Sequence, residues 1–322
     1  LKPQTKDQIE TSVKPKTAPR QYELVYRIII ILGYSHMAAL YGLYLCFTSG
    51  KWSTIMLSKY DNNEIGVMAG AHRLWSHNTY KAKLPLEIIL MIMNSIANQS
   101  TVIYWVTVHR VHHKYCDTDA DPHNATRGFF YSHVGWLLVR KHPEVKKRGK
   151  EIDLSDVYNN PVLRFQKNEM KVVNNFNFTY FLLVWELIPV YFWGECWMNA
   201  WNITMLRYVV VLHCTFLINS AAHMWGTRPY DKNILPTQNI AVSFLSCGEG
   251  FHNYHHVFPW DYRAAELGNN SLNLTTKFID FFARIGWAYD LKTVSDDMIK
   301  ARAKRTGDGT NLWGWEDKDL PK

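Results

Sequence analysis

The chain has 322 residues, 47% of them hydrophobic and 14% aromatic, with a formal net charge of +8 and five cysteines. Its mean hydropathy is nevertheless slightly negative, so apolar and polar residues are segregated along the chain and an evenly mixed soluble composition is excluded. Cys46, Cys116, Cys196, Cys214 and Cys247 are scattered without a C-x-x-C pair, which excludes a disulfide framework and fits the reduced thiols of a cytosol-facing protein.

In chain order, residues 1–26 form a tail rich in Lys, Thr, Gln and Pro, with no secretory signal peptide at its start and too little apolar content to order by itself. Ile28 to Phe47 is an apolar run of about 20 residues, broken only by Ser35 and His36, the length a helix needs to cross the hydrocarbon of a bilayer. Ser58-Lys59-Tyr60-Asp61-Asn62-Asn63-Glu64 follows, and three charges are costly in a lipid-facing segment. Leu84 to Trp105 is apolar at first, but its second half, Asn94-Ser95-Ile96-Ala97-Asn98-Gln99-Ser100-Thr101, is too polar for lipid, so a helix lying in or under the membrane interface is expected. Phe178 to Trp193, carrying Glu186, and Ala200 to Ile218, carrying Arg207 and His213, are weaker spans.

The positive charge is concentrated in Arg127, Arg140, Lys141, Lys146, Lys147, Arg148 and Lys150, and again in Lys300, Arg302, Lys304 and Arg305. The positive-inside tendency assigns both stretches to the cytosol. They flank membrane spans and carry no nucleic-acid-binding motif, so an anionic headgroup surface or a phosphate-bearing ligand is expected, and no nucleic acid.

Histidines carry the chemistry. His109-Arg110-Val111-His112-His113 recurs in spacing as His252-Asn253-Tyr254-His255-His256, and His72 and His77 precede the first box, making eight of the fourteen histidines. On a helix, positions i and i+3 share a face and i+4 lies close beside them, so each box can present its imidazoles to one side. Taken alone, one box could be a histidine-rich turn; the repetition argues for metal. One ion accepts at most four to six ligands, so eight imidazoles imply two ions. The spacing divides them with the i,i+3 pairs His109/His112 and His252/His255 on one ion, joined by His77. His113 and His256, rotated by about 100°, then turn to the other ion with His72.

Four motifs carry a resemblance: Gly70-Ala71-His72-Arg73-Leu74-Trp75-Ser76-His77; His109 to His113 followed by Asp119-Ala120-Asp121-Pro122-His123-Asn124; Asn219-Ser220-Ala221-Ala222-His223; and Gly248-Glu249-Gly250 into His252 to His256. From about Arg27 to Gly309 the chain resembles the membrane acyl-CoA desaturases of the stearoyl-CoA type, insect members above all. The resemblance implies an all-α integral membrane protein of the endoplasmic reticulum, multi-pass, with four transmembrane helices under a cytosolic helical cap that holds a histidine-rich di-iron site. On that pattern residues 27–70 and 176–218 are the transmembrane pairs, the second span being atypical. Residues 71–175 and 219–322 form the cap.

The resemblance further implies two non-haem iron ions, an acyl-CoA substrate, O2, and electrons from cytochrome b5 and its NADH-dependent reductase. It adds His223 to the ligands, on the ion of His72, and gives Asn219 a metal-bound water. Arg140 and Lys141 become the phosphate-binding pair, and Gln99, Trp105, Thr215 and Phe216 line the bent acyl path. His36, His123, His133, His142 and His213 keep ordinary structural roles. A neutral imidazole shell leaves the charge of the irons largely uncompensated, which suits removal of hydrogen from an unactivated methylene. The competing soluble di-iron bundle needs two Glu-x-x-His motifs, and only Glu249 to His252 offers one.

The chain departs from the family at several positions. Trp105-Val106-Thr107-Val108 lacks the Arg and Asp that usually precede the first box and hold the CoA end. Ser100 and Ile28 replace asparagines of that site, Phe216 stands where Trp is more frequent, and the stretch from Asn168 to Asn177 is more polar than expected. Three readings stay open: an acyl-CoA desaturase, a hydroxylase or conjugase on the same irons, and a non-catalytic lipid-binding paralogue.

Overall fold

The computed structural model describes residues 22–60, 64–172, 186–265 and 273–310. The tail up to residue 21, the first half of the span expected over Phe178 to Trp193 and the polar stretch after residue 172 lie outside the described residues. The fold is mostly helical, with one short antiparallel pairing of Lys81–Ala82 with Ala288–Tyr289 that the all-α expectation omitted.

Two helices among the described residues are long and apolar enough to cross a membrane, Tyr26–Thr48 and Trp197–Met224. The first has 23 residues, about 35 Å at 1.5 Å per residue, against a hydrocarbon core of about 30 Å. The two pack along one another. Their closest approach is made at Gly42, where any Cβ would stand 2.0 Å from the backbone oxygen of Asn202. Trp52–Tyr60, nine residues of helix that lead up to residues outside the described set, stands in the place of the expected second span.

The stretch from Leu84 to Trp105 is not one helix. Leu84–Ala97 starts with proline in its first turn and ends on Asn98, whose φ of 55° is left-handed. Val102–Tyr115 starts afresh with Thr101 as its cap, the Thr101 hydroxyl oxygen accepting from the Tyr104 amide. The two axes differ by 84°. Ser100, also left-handed at φ 88°, completes the corner, so the polar segment that argued against a continuous span is the bend itself.

Gly66–Ser76 has the wide hydrogen-bonding register of a π-helix. The amide of His77 bonds the carbonyl of His72, five residues back, at 3.2 Å. Around this segment, Val67, Met68, Leu86, Leu90, Val102, Val106 and Leu163 form the largest buried cluster. Each such side chain removed from water contributes about 1.5–3 kcal/mol, enough to hold an irregular segment in place.

Candidate metal centre and adjoining cavity

The nine histidines of the sequence reading come together in two groups. In the first, His72 Nε2 lies 3.0 Å from His255 Nε2, which lies 3.0 Å from His113 Nε2, and His77 Nε2 is 2.8 Å from His109 Nε2. In the second, His252 Nε2 is 3.0 Å from His223 Nε2 and 3.1 Å from His256 Nε2, which lies 3.3 Å from His112 Nε2. The ligands therefore divide differently from the spacing argument. His77, His109 and His255 keep together, His72 and His113 join them, and His112 and His252 move across to His223 and His256.

The reason is angular. At 100° per residue, positions i and i+4 differ by about 40° and positions i and i+3 by about 60°, so the i,i+4 pair falls in one group and the intervening histidine turns away to the other. His72 and His77, five apart, would diverge by about 140° on an α-helix. The wider register from Gly66 to Ser76 brings their rings within 5.1 Å of each other, a use of irregular helix common at functional sites.

Carboxylates set the tautomers. His112 Nδ1 lies 3.0 Å from both oxygens of Asp121, His72 Nδ1 lies 3.1 Å from Glu249 Oε2, and His223 Nδ1 lies 3.4 Å from Asp117 Oδ1. A proton held on Nδ1 leaves the Nε2 lone pair facing inward. Glu249 is itself gripped by the buried Arg73 at 2.6 Å. Arg73, Asp117, Asp121 and Glu249 were not assigned a role from the sequence, although all but Asp117 stand inside the quoted motifs; a charged residue embedded in a histidine motif was the available signal.

Burial, and then the charge of neighbouring groups, holds His77, His109, His113, His252, His255 and His256 well below the usual imidazole range. Burial also opposes charge on His112, but Asp121 outweighs it and raises that pKa. Glu249 stays ionised, its pKa near 2: burial works against the charge, and Arg73 and His72 overcome it.

Unprotonated nitrogens 3 Å apart repel unless something positive stands between them. Ligand bonds of about 2.1 Å meeting at about 90° place neighbouring nitrogens about 3.0 Å apart, which is the spacing observed, so the residues fit two metal ions. His123, taken as ordinary, packs its ring 4.3 Å from that of His112 and its Nδ1 lies 3.6 Å from Asp121. His142 is the helix cap of an ordinary structural histidine, its ring accepting from the Glu144 amide. The five cysteines are free thiols.

A cavity of about 320 Å³ opens against the first group. His109, Trp105 and Asn219 line it together with Gln99, Thr215 and Phe216 and with the apolar Ile31, Leu32, Leu137, Tyr208 and Leu212. Trp105, His109, Thr215 and Asn219 also line a narrow space reaching His72, His112 and His252. The Gln99 amide donates to Thr215 Oγ1 at 2.8 Å, and Thr215 Oγ1 lies 3.2 Å from Glu64 Oε1. Glu64, read from the sequence only as a charge out of place, is a buried partner of the cavity wall.

Ile28, Ser100 and Val108, three of the departures from the family pattern, line the same cavity, whereas the Thr107 hydroxyl is turned back onto the carbonyl of Ile103 at 2.7 Å. Lys141 Nζ sits 4.6 Å from the ring centre of Tyr104, a lining residue, while Arg140 is exposed and paired with Glu23 at 2.9 Å.

A sequence model of the fatty acid desaturase family matches residues 63–267. The chain is 68% identical to an acyl-CoA Delta(11) desaturase of Spodoptera littoralis over 99% of this chain and 94% of that protein. It is 65% identical to an acyl-CoA Delta(11) desaturase of Trichoplusia ni over 97% of the chain and 90% of that protein. It is also 59% identical to a (11Z)-hexadec-11-enoyl-CoA conjugase of Bombyx mori over 94% of the chain and 91% of that protein.

Proposed function

The chain belongs to the fatty acid desaturase family, and from that premise we propose that its two histidine groups hold two non-haem iron ions that serve the desaturation of an acyl-CoA at C11. The chain is an acyl-CoA desaturase, an oxidoreductase that introduces a double bond into a fatty acyl chain. The observation that carries the metal assignment is the set of unprotonated Nε2 atoms about 3 Å apart at the end of an apolar cavity. The position of the double bond rests on the names of the two insect relatives.

Bound iron supplies the activation of O2 that removal of two hydrogens from a methylene pair requires. The protein supplies placement. The acyl chain lies in the cavity with its reacting carbons between Trp105 and Thr215, beside His109 and Asn219. Thr215 and Gln99, hydrogen-bonded to each other, fix the bend. The remaining apolar wall excludes water, which protects the oxidising chemistry from side reactions. Asp117, Asp121 and Glu249 keep their histidines in the metal-binding tautomer, and Asn219, at the helix end, would hold a water for a bound ion.

Arg140 and Lys141 serve the phosphates of the CoA portion. Without the usual Arg and Asp at Thr107 and Val108, and at about 1.5–3 kcal/mol for each charge-assisted hydrogen bond, the grip on that portion is weakened and the apolar cavity carries more of the selectivity. The enzyme works in the endoplasmic reticulum membrane with its metal centre facing the cytosol, where cytochrome b5 and its NADH-dependent reductase deliver electrons. Expression in desaturase-deficient yeast followed by fatty-acid analysis tests the activity: a C11 monounsaturated product is expected, and no unsaturated product from iron-loaded protein would overturn the reading. The conjugase relative favours a second reading, and conjugated dienes in the same analysis would establish it.

A further inference from the structure

Three histidines outside the metal centre form a chain. His36 Nε2 lies 2.9 Å from His213 Nε2, His213 Nδ1 lies 2.8 Å from His133 Nε2, and His133 Nδ1 lies 2.9 Å from the hydroxyl oxygen of Ser220. At the far end His36 Nδ1 is 2.6 Å from the carbonyl oxygen of Leu32. They come from three elements: His36 from Tyr26–Thr48, His213 from Trp197–Asn219, and His133 from the short irregular helix Tyr131–Gly135.

The protons in this chain are fixed by its end. A carbonyl only accepts, so His36 carries its proton on Nδ1 and its Nε2 must accept. His213 therefore donates from Nε2 and accepts at Nδ1, and His133 donates from Nε2. The Ser220 hydroxyl has one proton and two acceptors 2.9 Å away, the Phe216 carbonyl and His133 Nδ1, and it completes the chain when that proton is turned to the ring. Because the chain terminates on a helix carbonyl it leads a proton nowhere, so its effect is to tie three elements together in one direction and orientation.

What it ties is the wall of the cavity. The rings of His133 and His213 stand edge-on to Phe216, at 5.7 and 5.9 Å with interplanar angles of 80° and 79°. Ser220 Oγ lies 2.9 Å from the carbonyl of Phe216 and occupies the break between the helices Trp197–Asn219 and Ala221–Met224. Leu32, Leu137 and Phe216 all line the cavity. The chain thus connects the two sides of the cavity, through Leu32 and Phe216, to the helix end that carries Asn219.

We infer that His36, His213 and His133 form a polar strut that positions Phe216 and the end of the helix at Asn219, and so determines which acyl chain length is accepted and where the double bond falls. The three are positioning residues, none of them metal ligands. The inference deepens the desaturase reading and rests on it for its substrate class.

The test uses full-length, iron-loaded protein, with palmitoyl-CoA and stearoyl-CoA as competing substrates and iron content measured in parallel. His213→Leu severs both links and is expected to change the ratio of the two products by roughly tenfold, the scale on which an apolar pocket discriminates a methylene, with iron content unchanged. His36→Leu should shift the ratio the same way, and the double variant should add little, since both cut one chain. His213→Gln, whose amide keeps a donor and an acceptor, should restore much of the wild-type ratio. Unchanged product ratio, double-bond position and KM in iron-loaded His213→Leu would overturn the strut. Where His213→Leu does not accumulate, Ser220→Ala, which removes the last link together with the hydroxyl's contact to the Phe216 carbonyl, decides by the same ratio. Wild-type protein that forms no double bond at all counts against the desaturase reading alone, and the strut is then decided by whether His213→Leu alters the relative thermal stabilisation given by the two acyl-CoAs.

Discussion

At the scale of single residues, the proposed metal centre depends on groups that stand behind its histidines. Glu249 has one oxygen 3.1 Å from His72 Nδ1 and the other 2.6 Å from Arg73, so it links a fixed cation to a metal-binding ring. Glu249→Gln keeps the shape but replaces the carboxylate by an amide that cannot accept from both partners equally. Metal affinity is expected to fall about 10–100-fold, read as iron retained after graded chelation. Retention equal to wild type would show that Glu249 does not tune the centre. That these nine histidines would cluster was legible in the sequence because no ordinary core or surface concentrates histidine in this way. Their partition into two groups was not, because it turns on the difference between about 40° and about 60° of helical rotation and on the wide register between His72 and His77. Asp121 and Glu249 stood in the quoted motifs as charges without a role, and Asp117 could be seen only once folding had set it behind His223.

At the scale of elements, the apolar runs were legible where composition and length agreed. Ile28 to Phe47 became the helix Tyr26–Thr48, and Ala200 to Ile218 lies inside Trp197–Met224. The corner at residues 98–101 was foreshadowed by its polarity alone; the left-handed Asn98 and Ser100 that make it are uncommon conformations for residues with a side chain. It aims Val102–Tyr115, and with it His109, His112 and His113, across the end of the cavity. The packing of the two long helices turns on Gly42. A methyl group 2.0 Å from the Asn202 oxygen can be accommodated only by moving the helices apart, and overpacking of this kind costs about 1–3 kcal/mol or more. Gly42→Ala should therefore lower the thermal midpoint of the purified protein by several degrees while leaving iron content intact. Gly33, beside which a Cβ meets nothing within 4 Å, provides the control, and equal effects of Gly33→Ala and Gly42→Ala would refute the close-approach argument.

At the scale of the whole molecule, the histidine centre makes folding a function of pH. His77, His109, His113, His252, His255 and His256 are held well below the usual imidazole range by burial and then by their neighbours. In the unfolded chain each titrates near 6.5. Below that pH the unfolded state takes up protons that the folded state refuses, so stability is present above about pH 6.5 and is lost as pH falls. Each such group contributes a slope of up to about 1.4 kcal/mol per pH unit. Six together would exhaust a typical margin of about 5–15 kcal/mol within about two units.

His112 runs the other way: its raised pKa adds stability below its unfolded value, lost as pH rises through the folded value, but it is one group against six. Iron on the Nε2 lone pairs adds stability at neutral pH by binding only the folded state, and protons compete for those same lone pairs. The thermal midpoint of chelator-treated protein should therefore fall steeply from pH 7.5 to pH 5.5, and iron-loaded protein should show a higher midpoint at pH 7.5 with the advantage shrinking toward pH 5.5. A midpoint that is flat over this range in the chelated protein would mean that the histidines are hydrated and protonate freely, and the closed, water-excluding centre argued from their burial would then be wrong.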